Sequence, residues 1–214
     1  MRFNTASSVP KSTKLGKGRR TVQAVKALEE RLSGGTPGDV TAFVRPRKAN
    51  TMRFDDDGLI PNHPAWPLLI YRTPVKLSKS LGPVAVMEAV FETNGWGDSW
   101  RNGIYPYVHY HSRIHEVLGV VRGKASVRFG GKKGRTIFLK AGDVAVLPAG
   151  TGHQCRAASD DFLVVGAYPP FGTYDECTTV ERHAAAVRSI SALPPAETDP
   201  VFGSKGPLIE LWRP

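Results

Sequence analysis

The folds open to this chain are limited above all by a series of short, β-type segments between residues 84 and 168. Gly- and Pro-containing turns, such as Arg122-Gly123-Lys124, separate them roughly every ten residues, which is typical of an all-β sandwich or barrel. We expect strands at 84–92, 105–111, 116–121, 125–129, 136–140, 144–147 and 162–168. Almost no helical pattern interrupts this block, so we predict a single all-β domain.

Helical patterns occur only on either side of this block. Apolar residues recur at helical spacing over 21–33, which begins at Thr21 as a possible N-cap and ends before Gly34-Gly35. A second helix is predicted over 178–193, where Pro194-Pro195 ends it. The segment 208–212 has the composition of an edge strand or a packed tail.

The formal charge of +10 suggests nucleic-acid binding until the charges are located along the 214 residues. Residues 1–53 hold 12 Lys/Arg and 3 Asp/Glu, whereas residues 54–214 hold 17 basic and 16 acidic residues. The basicity therefore belongs to the N-terminal part. It has too few interleaved aromatic residues for nucleic acid and no amphipathic apolar face for a membrane, so we expect neither partner.

Cysteine content and hydropathy indicate the compartment. Two cysteines, Cys155 and Cys177, are too few for a disulfide framework. The N-terminus lacks the apolar segment of a secretory signal, and no apolar run approaches the roughly eighteen residues of a membrane helix. We expect a soluble protein of the cytoplasm.

Four of the six histidines lie within the β block, between positions 109 and 153. His109 and His111 are two residues apart, so on a strand their imidazoles share one face. The turn at Ser112-Arg113 lets Glu116 return toward them on the next strand, and the turn before His153 supplies a third imidazole. This set suits a divalent transition metal, namely Fe, Mn, Ni or Zn, without deciding among them.

The spacing of these residues resembles the two motifs of the cupin superfamily. The first motif is matched by Gly103, His109, His111, Glu116 and Gly123, and the second by Gly142, Pro148, Gly150 and His153. Ala157 stands where the second motif has Asn, a position that is often structural. The resemblance implies a single cupin β-barrel of the jelly-roll type with flanking N-terminal and C-terminal helices. It also implies a metal held in that barrel and a homodimer.

Further segments, including 54–62, 67–72, 100–104 and 161–169, are similar to those of the YjlB-like cupins, which are single-domain proteins of unassigned role. This resemblance covers residues 54–212. We accordingly divide the chain into a basic leader (1–20), a helix and linker (21–53), the cupin barrel (54–176), and a C-terminal helix and tail packed on the barrel (177–214). Because cupin barrels carry many reactions, the resemblance implies the fold more than the function.

Several side chains near the motifs have two interpretations. His115 alternates with Glu116, so we expect it to support the ligands from behind or to lie at the surface, with direct ligation as the alternative. Tyr105 and Tyr107 share the parity of His109, so they line the interior and contact a ligand, or they pack in the core. Arg101 is a possible anion-binding group at the mouth, and Cys155 is a small buried filler or lines the cavity.

Together these observations predict a mononuclear metal-binding cupin. The leading hypothesis is a metal-dependent enzyme that acts on a small polar molecule in the barrel mouth, with Glu116, Tyr105 and Tyr107 as its catalytic side chains. We favour oxygenase-type chemistry over isomerisation or decarboxylation. The alternative is a non-catalytic cupin that contains a metal and binds a small molecule.

Overall fold

A computed structural model describes residues 40–213, and the predicted leader (1–20) and the predicted helix at 21–33 lie outside these residues. The described part contains nine strands and three α-helices, together with short 3-10 turns. The strands are β1 (Asn50–Met52), β2 (Leu68–Tyr71), β3 (Gly97–Asn102), β4 (Glu116–Arg122), β5 (Lys124–Phe129), β6 (Arg135–Lys140), β7 (Val144–Leu147), β8 (His153–Ala158) and β9 (Leu163–Tyr168). The helices are α1 (Pro83–Thr93), α2 (His183–Ala192) and α3 (Pro207–Leu211).

The strands form two antiparallel sheets. The larger sheet has six strands in the order β1-β2-β7-β4-β9-β3, and the smaller has three in the order β6-β5-β8. A tight turn at Gly123, with φ of 65°, connects β4 in the larger sheet to β5 in the smaller one. The all-β, jelly-roll fold expected from the sequence is therefore confirmed.

Both faces of the four central strands of the larger sheet, β2, β7, β4 and β9, are buried, which explains why these strands are almost continuously apolar. On β4, Leu118 and Val120 face the interior between the sheets, where they join Val127 and Phe129 of β5. The alternate residues of β4 lie in the second core cluster, on the face that α1 covers. Glu116 has the parity of Leu118, so the alternation places its carboxylate on the interior face.

The predicted strand at 84–92 is wrong, because these residues form most of α1. β-branched residues favoured a strand, yet the buried positions 86, 87, 90 and 91 recur at helical spacing and line one side of a helix that begins at Pro83. The helix lies close to β4 because residue 119 is glycine. A Cβ there would lie 2.6 Å from the Met87 Sδ.

One further predicted strand is absent. Residues 105–111 contribute only isolated bridges, from His109 to His153 and from Tyr110 to Cys177, since Pro106 cannot donate to a ladder. Of the two alternatives for residues 208–212, the structure agrees with a packed tail: they fall largely within α3, which begins at Pro207, and Leu208 and Trp212 are buried in the core. Strands β1, β3 and β8 were not expected from the sequence.

The C-terminal part packs against the β domain. The predicted helix over 178–193 is observed as a 3-10 turn at Val180–Arg182 followed by α2. Ile190 of α2 packs in a buried cluster with Ile60, Tyr110 and Ala149. Within the described part of the chain, none of the helices has the length and apolar content that a bilayer crossing requires. The boundaries at 54, 176 and 177 stay predictions.

Candidate metal centre

Backbone pairing brings the three histidines together at one end of the barrel. His109 and His153 exchange both backbone hydrogen bonds, at 3.2 and 2.9 Å. Their ring centroids are consequently 4.0 Å apart, and the His111 ring lies 5.6 Å from each. One ring nitrogen from each of the three falls within 4.8 Å of those of the other two. All three side chains are buried.

The same nitrogen of each ring is held by the backbone. Nδ1 of His109 lies 3.3 Å from the Tyr107 carbonyl oxygen, and Nδ1 of His153 lies 3.1 Å from that of Thr151. Nδ1 of His111 contacts the carbonyl oxygen of Asp175. With the proton assigned to Nδ1, each ring donates to a carbonyl and leaves the Nε2 lone pair free for a metal.

Glu116 adds a carboxylate at the first residue of β4. Its Oε2 lies 3.5 Å from His111 Nε2 and 3.4 Å from His153 Nε2. The side chain is 2% exposed, and Oε2 has no hydrogen-bond partner among the described residues. A buried carboxylate oxygen without a donor is costly, and a cation would satisfy it. Imidazole and carboxylate together are a donor set that divalent transition metals accept, so these residues fit such an ion.

The pKa shifts favour the protonation states that metal binding requires. Burial lowers the pKa of His153 to about 3 and also lowers that of His109. Burial alone would raise the pKa of Glu116, but the neighbouring histidines, His111 first, lower it to about 2. Conversely, Glu116 raises the pKa of His111 in spite of burial. Near neutral pH the centre therefore offers a charged carboxylate beside two neutral imidazoles, those of His109 and His153. Metal binding would displace the proton that Glu116 stabilises on His111.

Two predicted aromatic residues lie beside His109. The rings of Tyr105 and Tyr107 stack with centroids 4.9 Å apart, and they lie 5.2 and 5.6 Å from the His109 ring. Tyr107 is 43% exposed. These two side chains thus form part of the rim of the site.

The remaining rim residues were missed by the sequence reasoning. Tyr168 ends β9 and Tyr174 follows six residues later, and their rings lie 6.4 and 5.0 Å from the His111 ring. Glu176 accepts hydrogen bonds from the hydroxyls of Tyr107, at 3.0 Å, and Tyr174, at 3.3 Å. Residues 174 and 176 are two positions apart, which was the only sign that their side chains share a face. Nothing in the sequence placed this segment near the histidines.

His115 lies apart from the three histidines, and the structure does not place it at the surface. Its side chain is fully buried, and its Nδ1 accepts a hydrogen bond from the Ala149 N–H at 2.9 Å. Its Nε2 lies 3.0 Å from the carbonyl oxygen of Pro194. With both ring nitrogens occupied, His115 has no lone pair left for a metal. It instead fixes the turn that leads into His153.

Arg101 and Cys155 also have clear places. Arg101 forms two hydrogen bonds of 2.7 Å to the buried carboxylate of Glu88 on α1, so it is engaged there rather than at the mouth of the site. Cys155 is partly buried and packs against the core cluster between the sheets, as the filler interpretation predicts.

Comparisons with known proteins agree with the fold. A family profile for the cupin domain matches residues 102–165, which span both motifs. The chain is 42% identical over 168 residues to the uncharacterized protein YjlB of Bacillus subtilis (strain 168), and the match covers 78% of this chain and 98% of that protein. The chain is a cupin. It belongs to the same cupin family as YjlB.

Solved structures with similar folds are more distant. The WlaRB TDP-quinovose 3,4-ketoisomerase of Campylobacter jejuni is 15% identical with a TM-score of 0.34, over 42% of this chain and 73% of that one. A variant of the Bacillus subtilis oxalate decarboxylase OxdC is 20% identical with a TM-score of 0.33, over 53% of this chain and 28% of that one. Likenesses at this level say nothing about the reaction of this chain.

Proposed function

We propose that the chain binds one divalent transition metal through His109, His111, His153 and Glu116, and acts as a metal-dependent enzyme on a small polar molecule at the rim. One observation carries this proposal. Three imidazoles whose Nδ1 atoms are held by the backbone converge beside a buried carboxylate oxygen that has no hydrogen-bond partner among residues 40–213. Such an arrangement is costly without a cation and suits one.

The proposed ligand set leaves room for a second molecule. Four protein ligands do not complete an octahedral coordination shell, so positions remain for a substrate. A bound metal supplies Lewis acidity and, if it is Fe or Mn, redox chemistry. We favour oxygenase-type chemistry, with isomerisation and decarboxylation as the other metal-assisted reactions.

The chain's own residues have separate proposed roles. Glu116 neutralises charge in a buried site and is held between His111 and His153. Tyr105 and Tyr107 orient the substrate beside His109, since their stacked rings flank that imidazole. Burial and the nearby Glu116 carboxylate raise the pKa of Tyr168, so its hydroxyl keeps its proton beside Glu116.

A non-catalytic binding protein is the second candidate function. The four proposed ligands are only 2 to 5% exposed. A metal enclosed to this degree also suits a centre that stabilises the barrel or helps to hold a small molecule. This alternative predicts bound metal without turnover.

Elemental analysis of the purified protein tests the metal proposal. We expect about one equivalent of a divalent transition metal per chain, and its loss in His111→Ala. The matched control is His183→Ala, because the His183 ring pairs with Asp56, an exposed residue outside the site. A protein that takes up no metal even after loading would overturn the proposal.

Measurement of oxygen uptake then distinguishes a metal-dependent oxygenase from a non-catalytic binding protein. The metal-loaded protein is tested with thiols, diketones, phenols, sugars and amines. Substrate-dependent uptake that disappears in His111→Ala supports oxygenase chemistry, whereas product formation without uptake supports isomerisation or decarboxylation.

We also propose that the protein is a homodimer of the cytoplasm. Light scattering tests the oligomeric state, and cell fractionation tests the location.

A further inference from the structure

The segment 173–177 covers the metal centre from one side. It pairs with the chain around residues 110–113, because Thr173 donates to the Arg113 carbonyl at 3.0 Å and Cys177 exchanges backbone hydrogen bonds with Tyr110. The Asp175 carboxylate accepts from the backbone and hydroxyl of Ser112 at 2.9 and 2.6 Å. Asp175 thus anchors the segment, while its neighbours in sequence are free to form the rim.

Tyr174 and Glu176, the neighbours of Asp175, determine which hydrogen bonds the rim can form. Tyr107 and Tyr174 both donate their hydroxyl protons to Glu176, which lies between them. With these protons engaged, the atoms that remain for an incoming molecule are lone pairs on the Glu176 carboxylate and on the phenolic oxygens. Around Glu176 the rim therefore accepts hydrogen bonds but has few to give.

The charged side chains near the rim also disfavour an anionic ligand. Asp175 and Glu176 are adjacent carboxylates in the covering segment. The arginine on this side, Arg113, lies 3.8 Å from Asp175 and is half exposed. Arg101, which the sequence suggested as an anion-binding group, is paired with Glu88 on α1. No cation among these described residues is left to hold a carboxylate or phosphate at the mouth.

We propose that Glu176 determines specificity: it admits ligands that donate hydrogen bonds through hydroxyl or ammonium groups, and it repels anionic ligands. The inference rests on the proposed metal centre and adds the class of substrate. An ammonium group gains attraction from the carboxylate and from the stacked faces of Tyr105 and Tyr107. An anion approaching the metal passes a like charge in a partly desolvated rim, where repulsion weakens its binding.

Cobalt(II)-loaded protein provides the test, because its visible absorption changes when a small ligand reaches the metal. Acetate, ethylene glycol and ethanolamine are titrated at constant ionic strength into the unaltered protein and into Glu176→Gln. We expect acetate to bind at least tenfold more tightly to Glu176→Gln, and at least one of the two donor ligands, ethylene glycol and ethanolamine, to bind at least threefold more weakly. Loss confined to ethanolamine identifies an ammonium ligand, and loss for both identifies a hydroxyl ligand.

Two further variants separate the effect of removing the Glu176 charge from the effect of loosening the rim. Glu181→Gln removes one charge from a fully exposed carboxylate and should match the unaltered protein. Tyr174→Phe removes one hydrogen bond to Glu176 but keeps the carboxylate, so it should leave acetate binding within threefold. Equal tightening of acetate in Tyr174→Phe and Glu176→Gln, or unchanged binding in Glu176→Gln, overturns this inference. Failure to load cobalt overturns the proposed metal centre instead.

Discussion

Two groups of buried histidines lie in this domain, and they use their ring nitrogens in opposite ways. In the metal-facing group, His109, His111 and His153 turn Nδ1 to backbone carbonyls and direct their remaining nitrogens toward a shared space. In the second group, His115 bonds the backbone through both nitrogens. His63 accepts at Nδ1 from the backbone N–H of Trp66 at 2.8 Å.

The surroundings of the two groups differ as much as their hydrogen bonds. Glu116 lies next to His111 and His153. His63 instead stacks on Trp66 with centroids 4.1 Å apart, and Trp66 stacks on Trp212. Although His63 Nε2 has no hydrogen-bond partner in the described part of the chain, the neighbouring His115 has no free nitrogen to share a metal with it. Burial alone therefore does not identify a metal ligand, whereas a free lone pair beside a carboxylate does.

The largest expected effect comes from His115→Leu. This change keeps the volume but leaves the buried Ala149 N–H and Pro194 carbonyl without partners, so we expect unfolding to become easier by about 3 kcal/mol. Metal stoichiometry should stay at one per chain. Urea unfolding of the metal-free protein, with elemental analysis of the folded protein, measures both quantities.

His111→Leu is the matched variant for that experiment and should give the opposite profile. It should abolish stoichiometric metal while changing the stability of the metal-free protein less than His115→Leu does. The comparison between the two groups fails if His115→Leu loses its metal and remains as stable as the unaltered protein.

A somewhat smaller effect is expected from Glu116→Gln. Loss of a group that merely supports a metal ligand weakens metal binding by roughly 10–100-fold. Glu116 is a charged ligand itself, so we expect Glu116→Gln to weaken metal binding by about 100-fold or more, which corresponds to about 2.7 kcal/mol. Competition with a chromophoric chelator measures the affinity. Glu88→Gln is the control, because Glu88 is also a buried carboxylate but binds Arg101. If both variants bind metal equally well, Glu116 is no ligand.

Much of the fold and of the site could be predicted from the sequence. The spacing of His109, His111 and Glu116 is local, because a few residues of extended chain and one turn set it, and these side chains do lie together. Strand parity also placed His115 on the other side of β4 from Glu116. Neither step needed knowledge of distant contacts.

The errors involve contacts between distant parts of the chain. Residues 83–93 have β-branched composition but become α1, because the sheet face near Gly119 gives their apolar side a surface to cover. Glu176 reaches the site only because its segment pairs with residues around Tyr110. Likewise His115 is buried by Trp66 and Trp212, which lie far from it in sequence. Local patterns do not contain such long-range packing.

The smallest of the three effects is a loss of stability in mild acid, caused by the second histidine group. Burial, first of all, and then the charge of His115 lower the pKa of His63 to about 3, against 6.5 for an exposed histidine. The unfolded chain therefore takes up a proton as the pH falls through 6.5, while folded His63 does not. The stability due to neutral His63 is fully present above 6.5 and is lost as the pH falls toward 3, by about 2 kcal/mol at pH 5.

His63→Asn separates this contribution from other titrating groups. An asparagine oxygen still accepts from the N–H groups that follow, but it does not titrate. We expect metal-free His63→Asn to lose about 2 kcal/mol less than the unaltered protein between pH 7.5 and pH 5 in urea unfolding. His183→Asn, which changes a histidine paired with exposed Asp56, should not reduce that loss. An identical pH dependence in His63→Asn and the unaltered protein would show that folded His63 is already protonated at pH 5, and that aromatic stacking does not keep this histidine neutral.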